Sequence, residues 1–335
     1  MSASIKDVAR LAGVCHSTVS RALRNHGVVN AETADRIRRI AKEVGYRPNS
    51  IGRSLATRHT NTVGVVVTTV ADPFVAEVVA GIEAVLHDEG YAVFLANSNA
   101  IPEREVSVVR SFHERRVDGV LVMASRVGSL YKPLLQELDV PIVLIDNQYP
   151  GGFAHSISID DRGGARLAVR HLIGLGHRRI AYLGDQFGLQ ADADRLAGYH
   201  DELQAAGIAG SAELVVQGDG KPEKGRIAMG SLLALREPPT AVFCYNDMTA
   251  IGALRCLHAA GWSVPGRISV VGFDDLPIAS FLEPPLTTVL QPRIEMGRRA
   301  ARMLLDLLAG GRIEGSIRVP GELVVRGSTA PANRG

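Results

Sequence analysis

Between residues 15 and 24 the sequence Cys15-His16-Ser17-Thr18-Val19-Ser20-Arg21-Ala22-Leu23-Arg24 divides its side chains by chemistry. Cys15, Val19, Ala22 and Leu23 recur at i, i+4, i+7 and i+8, an apolar stripe on a helix, while Ser17, Ser20, Arg21 and Arg24 line the other side. Hydroxyls and guanidinium forks donate to phosphate oxygens and to base edges. One face packs and the other is free to enter a groove. Enzyme signatures are absent: no Gly-x-Gly-x-x-Gly follows a strand, no phosphate loop ends in Gly-Lys-Ser/Thr, and no serine sits in Gly-x-Ser-x-Gly. His113-Glu114 opens like a zinc helix, but Val117 stands where the second histidine belongs.

Two further helices must position that face. Ser4 caps the first, with Asp7 in its first turn and Val8, Leu11 and Ala12 on one side, and Gly13 ends it. Asn30 caps the third, which turns Ile37, Ile40, Ala41 and Val44 inward and Arg36, Arg38, Arg39 and Lys42 outward. Three short helices around a small core can place the second in a major groove. The charge supports this reading: residues 1–60 carry 11 Lys/Arg against 4 Asp/Glu, whereas the rest carries 26 against 31, so an overall net charge of +2 hides a basic head on an acidic body. The alternative, three surface helices with solvated arginines, leaves this concentration unexplained.

From Thr62 short apolar runs at 63–67, 92–96, 117–123, 141–145, 156–159, 180–183, 214–216, 241–243 and 268–271 alternate with stretches of helical length such as 75–89, 163–175 and 247–260. Such alternation predicts parallel sheets covered by helices on both faces, and its repetition before and after Asp160 predicts two lobes. The cysteines, Cys15, Cys244 and Cys256, lie far apart without paired ligands, which argues for a reduced cytoplasmic protein without metal, disulfide or cofactor. No apolar stretch is long enough to span a membrane, and the polar N-terminus does not read as a secretory peptide.

The segment Gly45-Tyr46-Arg47-Pro48-Asn49-Ser50-Ile51-Gly52-Arg53-Ser54-Leu55 closely resembles the linker of the LacI/GalR family of bacterial transcription regulators. Arg116-Val117-Asp118-Gly119-Val120-Leu121, Gly174 to Tyr182, Arg195-Leu196-Ala197-Gly198-Tyr199, Asn246-Asp247 and Ile268 to Asp275 resemble its effector domain, so the likeness covers nearly the whole chain. It implies an all-α helix-turn-helix head on an α/β, two-lobed body similar to periplasmic sugar-binding proteins. The expected divisions are a head at 1–45, a hinge helix at 46–60, a first lobe at 61–160 and 292–320, a second at 161–291 and 321–329, and a disordered tail at 330–335. The lobes are joined by crossings near Asp160, Gln291 and Pro320.

By the same resemblance His16, Ser17 and Arg21 contact base edges, Thr18 and Ser20 contact phosphates or the helix end, and Asn49, Arg53 and the minor-groove wedge Leu55 belong to the hinge. Arg21 suits the O6/N7 pair of a guanine. Cys15, where the family usually has serine, reads as a small core residue, and Gly52 replaces the usual alanine and weakens the hinge helix. The effector positions carry over to Phe74, Asp146, Arg195, Asn246 and Asp274, with Thr68, Asp72 and Asn147 as further candidates, a set suited to a polyol. Gly220 stands where relatives often close on the effector with an aromatic. Leu189-Gln190-Ala191 lacks the arginine and threonine of purine-sensing relatives, which favours a sugar or sugar derivative over a purine. The expectation is a repressor that binds a palindromic double-stranded operator as a homodimer, without the leucine-repeat tail of tetrameric relatives and without enzymatic activity. Its rivals are a carbohydrate-binding protein without a DNA role and a sugar-active enzyme.

Overall fold

Valines at 63 and 65–67 leave the first strand no polar face, and such a strand is stable only with cover on both sides. In the computed structural model, which describes residues 3–23, 28–46, 59–127, 138, 140–148, 155–187, 189–311 and 315–333, β1 (Thr62–Val67) lies inside a sheet, buried from Val63 onward. With β2 (Ala92–Asn97), β3 (Gly119–Met123), β4 (Ile142–Ile145), β5 (Ser156–Ile159) and β11 (Ile317–Val319) it forms a six-stranded sheet. The order is β11-β5-β4-β3-β1-β2, parallel throughout. Val63, Val65 and Val67 pack with α4 (Pro73–Asp88) and α10 (Arg293–Leu308), while Val66 packs with α5 (Pro102–Glu114) on the other face, as strand alternation requires. Gly81 meets the Ile294 carbonyl and Gly297 the Val78 carbonyl, so α4 and α10 touch backbone to backbone where any β-carbon would collide.

The second lobe holds β6 (Ile180–Asp185), β7 (Val215–Gly218), β8 (Ala241–Cys244) and β9 (Ser269–Val271) in the parallel order β7-β6-β8-β9. Helices α6 (Asp161–Gly174) and α7 (Gln190–Ala205) pack on one face, α8 (Pro222–Leu233) and α9 (Asp247–Ala259) on the other. A short antiparallel pair, β10 (Thr288–Leu290) with β12 (Glu322–Val324), departs from the all-parallel expectation. The chain passes between the lobes after β5, between β10 and α10, and between β11 and β12.

The molecule divides into two compact units, residues 1–60 and 61–335. In the first, α1 (Ile5–Ala12), α2 (His16–Leu23) and α3 (Ala31–Glu43) enclose Val8, Ala9, Ala12, Val19, Ala22, Ala34, Ile37 and Ala41. Leu11, expected in this core, is 51% exposed. Ile5, Val8, Ala9 and Ala12 set the buried face, and Leu11 falls about 110° from its midline at 3.6 residues per turn.

The expected disorder of the tail is also corrected for residues 330–333, while 334 and 335 lie outside the described residues. Ser328 Oγ donates to the Val270 carbonyl at 2.6 Å and accepts from Thr287 N–H at 2.8 Å. Ala330 N–H donates to Ser269 Oγ at 3.1 Å, Ala332 N–H to the Leu175 carbonyl at 2.8 Å, and Asn333 Nδ2 to the Gly266 carbonyl at 2.6 Å. A composition of small and polar residues reads as a tail, yet these polar atoms complete the edge of β9. Ser328→Ala should therefore cost ~1–3 kcal/mol, because a buried backbone N–H and carbonyl lose their partner. Urea unfolding reads this directly, and an unchanged midpoint would show that the segment does not hold the lobe.

Candidate functional site

In the head, a reciprocal cap starts α1: Asp7 N–H donates to Ser4 Oγ at 3.3 Å and Ser4 N–H to Asp7 Oδ2 at 3.0 Å. Gly13 ends it at φ 64°, the left-handed conformation that costs glycine least. The turn delivers α2 with Val19 and Ala22 buried. His16, Ser17 and Arg21 are exposed, and Thr18 and Ser20 are half-buried. The candidate DNA contacts therefore share one short helix whose other side anchors it. Asn30 Oδ1 accepts from Thr33 N–H at 3.0 Å and starts α3, whose Arg36, Arg38, Arg39 and Lys42 are all exposed. Asn49, Arg53, Leu55 and the Gly52 departure lie outside the described residues.

Cys15 is not a core residue. Its carbonyl accepts from Thr18 and Val19 N–H, which places it at the cap of α2, exposed to solvent. The sulfur lies 3.0 Å from both Ser17 Oγ and Thr18 Oγ1. These hydroxyls, first Ser17 and then Thr18, bring the thiol down to about 7.

The body carries a cleft of about 680 Å³ between its lobes. Nearly every group on its wall sits just past the carboxyl end of a parallel strand, where backbone N–H groups and loop side chains converge. Thr68, Asp72 and Phe74 follow β1, Asp146 follows β4, Asn246 follows β8 and Asp274 follows β9. Arg195 reaches in from α7. Asp146 and Asp274 adopt φ 52° and 118°, conformations unusual for non-glycine residues and concentrated at functional sites. Asn147 does not line the cleft, since side chains alternate along the extended segment and its neighbours Asp146 and Gln148 face inward.

Arg195 is 3% exposed. Its Nε donates to Asp161 Oδ1 at 2.8 Å and its Nη1 to the Tyr245 carbonyl. Its guanidinium carbon lies 3.8 Å from the Phe273 ring centre and 4.6 Å from that of Tyr245. Burial raises the carboxyls of Asp146 and Asp274 above the usual range, with Arg195 opposing in both cases. Gln148 Nε2 donates to Asp146 Oδ2 at 2.9 Å, and Gln291 Nε2 to Asp274 Oδ1 at 2.7 Å. Arg293 binds the Asp274 and Asp275 carbonyls as well as Glu77 Oε2. Asp72 caps α4 through Phe74 N–H at 3.0 Å, and Asn246 caps α9 through Thr249 N–H at 2.8 Å while its Nδ2 donates to the Gly220 carbonyl at 3.1 Å. Both candidates thus serve their helices as well as facing the cleft.

Sequence reasoning missed Arg126, Gln148, Asp185, Phe187, Tyr245 and Gln291, which also line the cleft. All six lie within three residues of a strand's carboxyl end, so a search of those positions would have found them.

The profile for bacterial regulatory proteins of the lacI family matches residues 4–49, and that for the periplasmic binding protein-like domain matches 169–329. The chain is 34% identical to the HTH-type transcriptional repressor PurR of Vibrio campbellii (strain ATCC BAA-1116) over 99% of this chain and 100% of the relative. It is 36% identical to the HTH-type transcriptional repressor CytR of Escherichia coli (strain K12), over 98% and 96%. Its structure is similar to that of the Lac repressor dimer bound to operator and the anti-inducer ONPF, with TM-score 0.91, 29% identity and coverage of 98% and 100%. It is also similar to a complex of the transcriptional regulator CelR with cellobiose, with TM-score 0.73, 34% identity and coverage of 97% and 99%.

The head offers a chemical test. A thiol at about 7 is half thiolate at neutral pH, whereas burial raises Cys244 and Cys256. Iodoacetamide at pH 7.5 should label Cys15 first, at a rate that rises with pH through about 7. Peptide mapping by mass spectrometry checks this, and first labelling at Cys256 would contradict the exposed cap.

Proposed function

Because the chain belongs to the LacI family of bacterial regulatory proteins, we propose that it is a transcriptional repressor that binds a palindromic operator as a dimer and leaves it when a neutral carbohydrate enters the cleft. The observation that carries the effector assignment is the set Asp146, Arg195 and Asp274, delivered from both lobes with Phe74 beside them. Carboxylates accept from vicinal hydroxyls, a guanidinium donates to ring oxygens, and an aromatic face suits the apolar side of a sugar ring. Asp72, Asp146, Asp185, Asp219 and Asp274 on the wall outnumber Arg126, Arg195 and Lys221. An acidic wall of this kind disfavours phosphate esters and sugar acids. A purine is disfavoured as well, because Gln190 and Ala191 offer no charged side chain for a base edge.

We read the cleft as a binding site rather than a catalytic one, because the relatives that match nearly the whole chain are transcriptional repressors. Among the described residues no helix is long and apolar enough to cross a membrane. The two units are consecutive in the chain, so a ligand can alter DNA binding by favouring one arrangement of the lobes.

Arg21→Ala should weaken binding to the preferred operator by ~1–3 kcal/mol and relax base preference at one position per half-site. Selection from random duplexes checks both, and an unchanged sequence logo would remove Arg21 as a base reader. Asp274→Asn, which removes the charge but keeps an acceptor for Gln291 Nε2, should still bind operator but no longer release it on adding the sugar, against a wild-type coupling of ~1–3 kcal/mol. Operator titration with and without sugar decides: equal release by both proteins would take Asp274 out of the site, and tighter wild-type binding with sugar would reverse the sign of regulation.

A further inference from the structure

We infer that Glu105, outside the cleft, is a positioning residue for the contact between the lobes: it holds the loop after β3 so that Gln148 caps α7 across the cleft and Arg126 meets Phe187. Its consequence for operator binding rests on the reading proposed above. Glu105 lies on α5 and is 1% exposed, an unusual setting for a carboxylate. Its Oε1 accepts from Ser125 Oγ at 2.6 Å and its Oε2 from Arg126 N–H at 3.3 Å. Ser125 Oγ in turn accepts from Val127 N–H at 3.3 Å. One buried carboxylate thus fixes the three residues that lead away from the end of β3.

From this loop two side chains reach the second lobe. The Ser125 carbonyl accepts from Gln148 N–H at 3.1 Å, which sets where Gln148 leaves the end of β4. Gln148 Nε2 donates to the carbonyl and the Oδ2 of Asp146, at 3.0 and 2.9 Å, so its Oε1 is turned across the cleft. There it accepts from Ala191 N–H at 3.1 Å. The second lobe needs that acceptor: Leu189 at the start of α7 supplies no side-chain cap, and Ala191 carries one of the amides that a helix start leaves unpaired. The helix that carries Arg195, one turn on, is therefore capped by a side chain of the other lobe. Arg126 adds a second contact, with its guanidinium 5.4 Å from the Phe187 ring centre. Phe187 is itself tied to the end of β6, since its N–H donates to Asp185 Oδ1 at 2.6 Å. A lobe arrangement that keeps both contacts is favoured by the hold on Ser125, and one that breaks them is not.

Amide hydrogen exchange on the full chain, read by mass spectrometry, tests this. Glu105→Gln keeps the size of the side chain and an acceptor for Ser125 Oγ but turns an N–H towards Arg126 N–H. It should speed exchange at residues 189–194, in the other lobe, by about threefold or more. Gln148→Ala, which removes the cap itself, should speed it at least as much, and the double variant should go little further, because both changes act on one contact. Glu103→Gln, on the same turn of α5 but exposed, should change nothing. Faster exchange confined to α5 and the loop after β3, an equal rise over the whole body, or additive effects in the double variant would each overturn the positioning role. Titration of an operator selected from random duplexes reads the regulatory consequence: Glu105→Gln should shift affinity by about threefold or more, in the direction that Gln148→Ala shifts it. Faster exchange at α7 with unchanged operator affinity overturns the part of this contact in regulation. A wild-type chain that binds no operator overturns the proposed function instead, and the exchange result still decides the role of Glu105.

Discussion

A single buried cation holds the effector domain's working parts together. Arg195 lies in the field of Asp161, Asp146 and Asp274, with the rings of Phe273 and Tyr245 against its guanidinium. Removing one member of a buried ion pair strands the other, at ~3–5 kcal/mol, so the arrangement survives only with its partners in place. Those partners come from the ends of β4 and β9 and from the start of α6, and the Tyr245 carbonyl adds the end of β8. Their common dependence on one guanidinium fixes where the strand ends stand relative to one another.

The same cluster spans the lobes. Asp146 follows β4, inside the first lobe's sheet, whereas Arg195 and Asp274 belong to the second lobe. Gln148 reinforces the join: its Nε2 holds Asp146 and its Oε1 accepts from Ala191 N–H at 3.1 Å on α7. Arg293, on the helix that returns to the first lobe, grips the carbonyls of Asp274 and Asp275 in the second. A ligand that enters among these groups competes with contacts that set the lobe arrangement, which is the differential interaction a population shift requires. The reciprocal contact of Gly81 and Gly297 with opposing backbone makes the helix layer of the first lobe stiff, so motion is directed into the crossings rather than into the layer.

Much of this was legible in the sequence, for reasons that differ by region. Periodicity located β1 to β9 because each is a short run rich in apolar residues bounded by helical stretches or turns, and the caps Ser4 and Asn30 announced their helices by residue type. β10, β11 and β12 are three residues each, too short to carry a pattern, and only tertiary pairing defines them. Cys15 was misplaced because a helical stripe extended by one residue looks the same on paper, although that residue caps rather than packs. The tail was misread because Ser328 and Ala330 act through backbone and one hydroxyl, which composition does not register. In the cleft, resemblance supplied Phe74, Asp146, Arg195 and Asp274. Gln148, Asp185 and Gln291 become visible only when strands distant in sequence are laid side by side.

The order of the chain also fixes an order of assembly. The head's core draws only on residues before Gly45 and on Tyr46, so it is complete when about a seventh of the protein has left the ribosome, and domains generally fold as they emerge. The first sheet waits for β11, and the second lobe waits for Ser328 and Ala330 to close β9. A nascent chain therefore carries a finished DNA reader for most of its synthesis while its sensor is still open, and control by ligand begins only with the final residues.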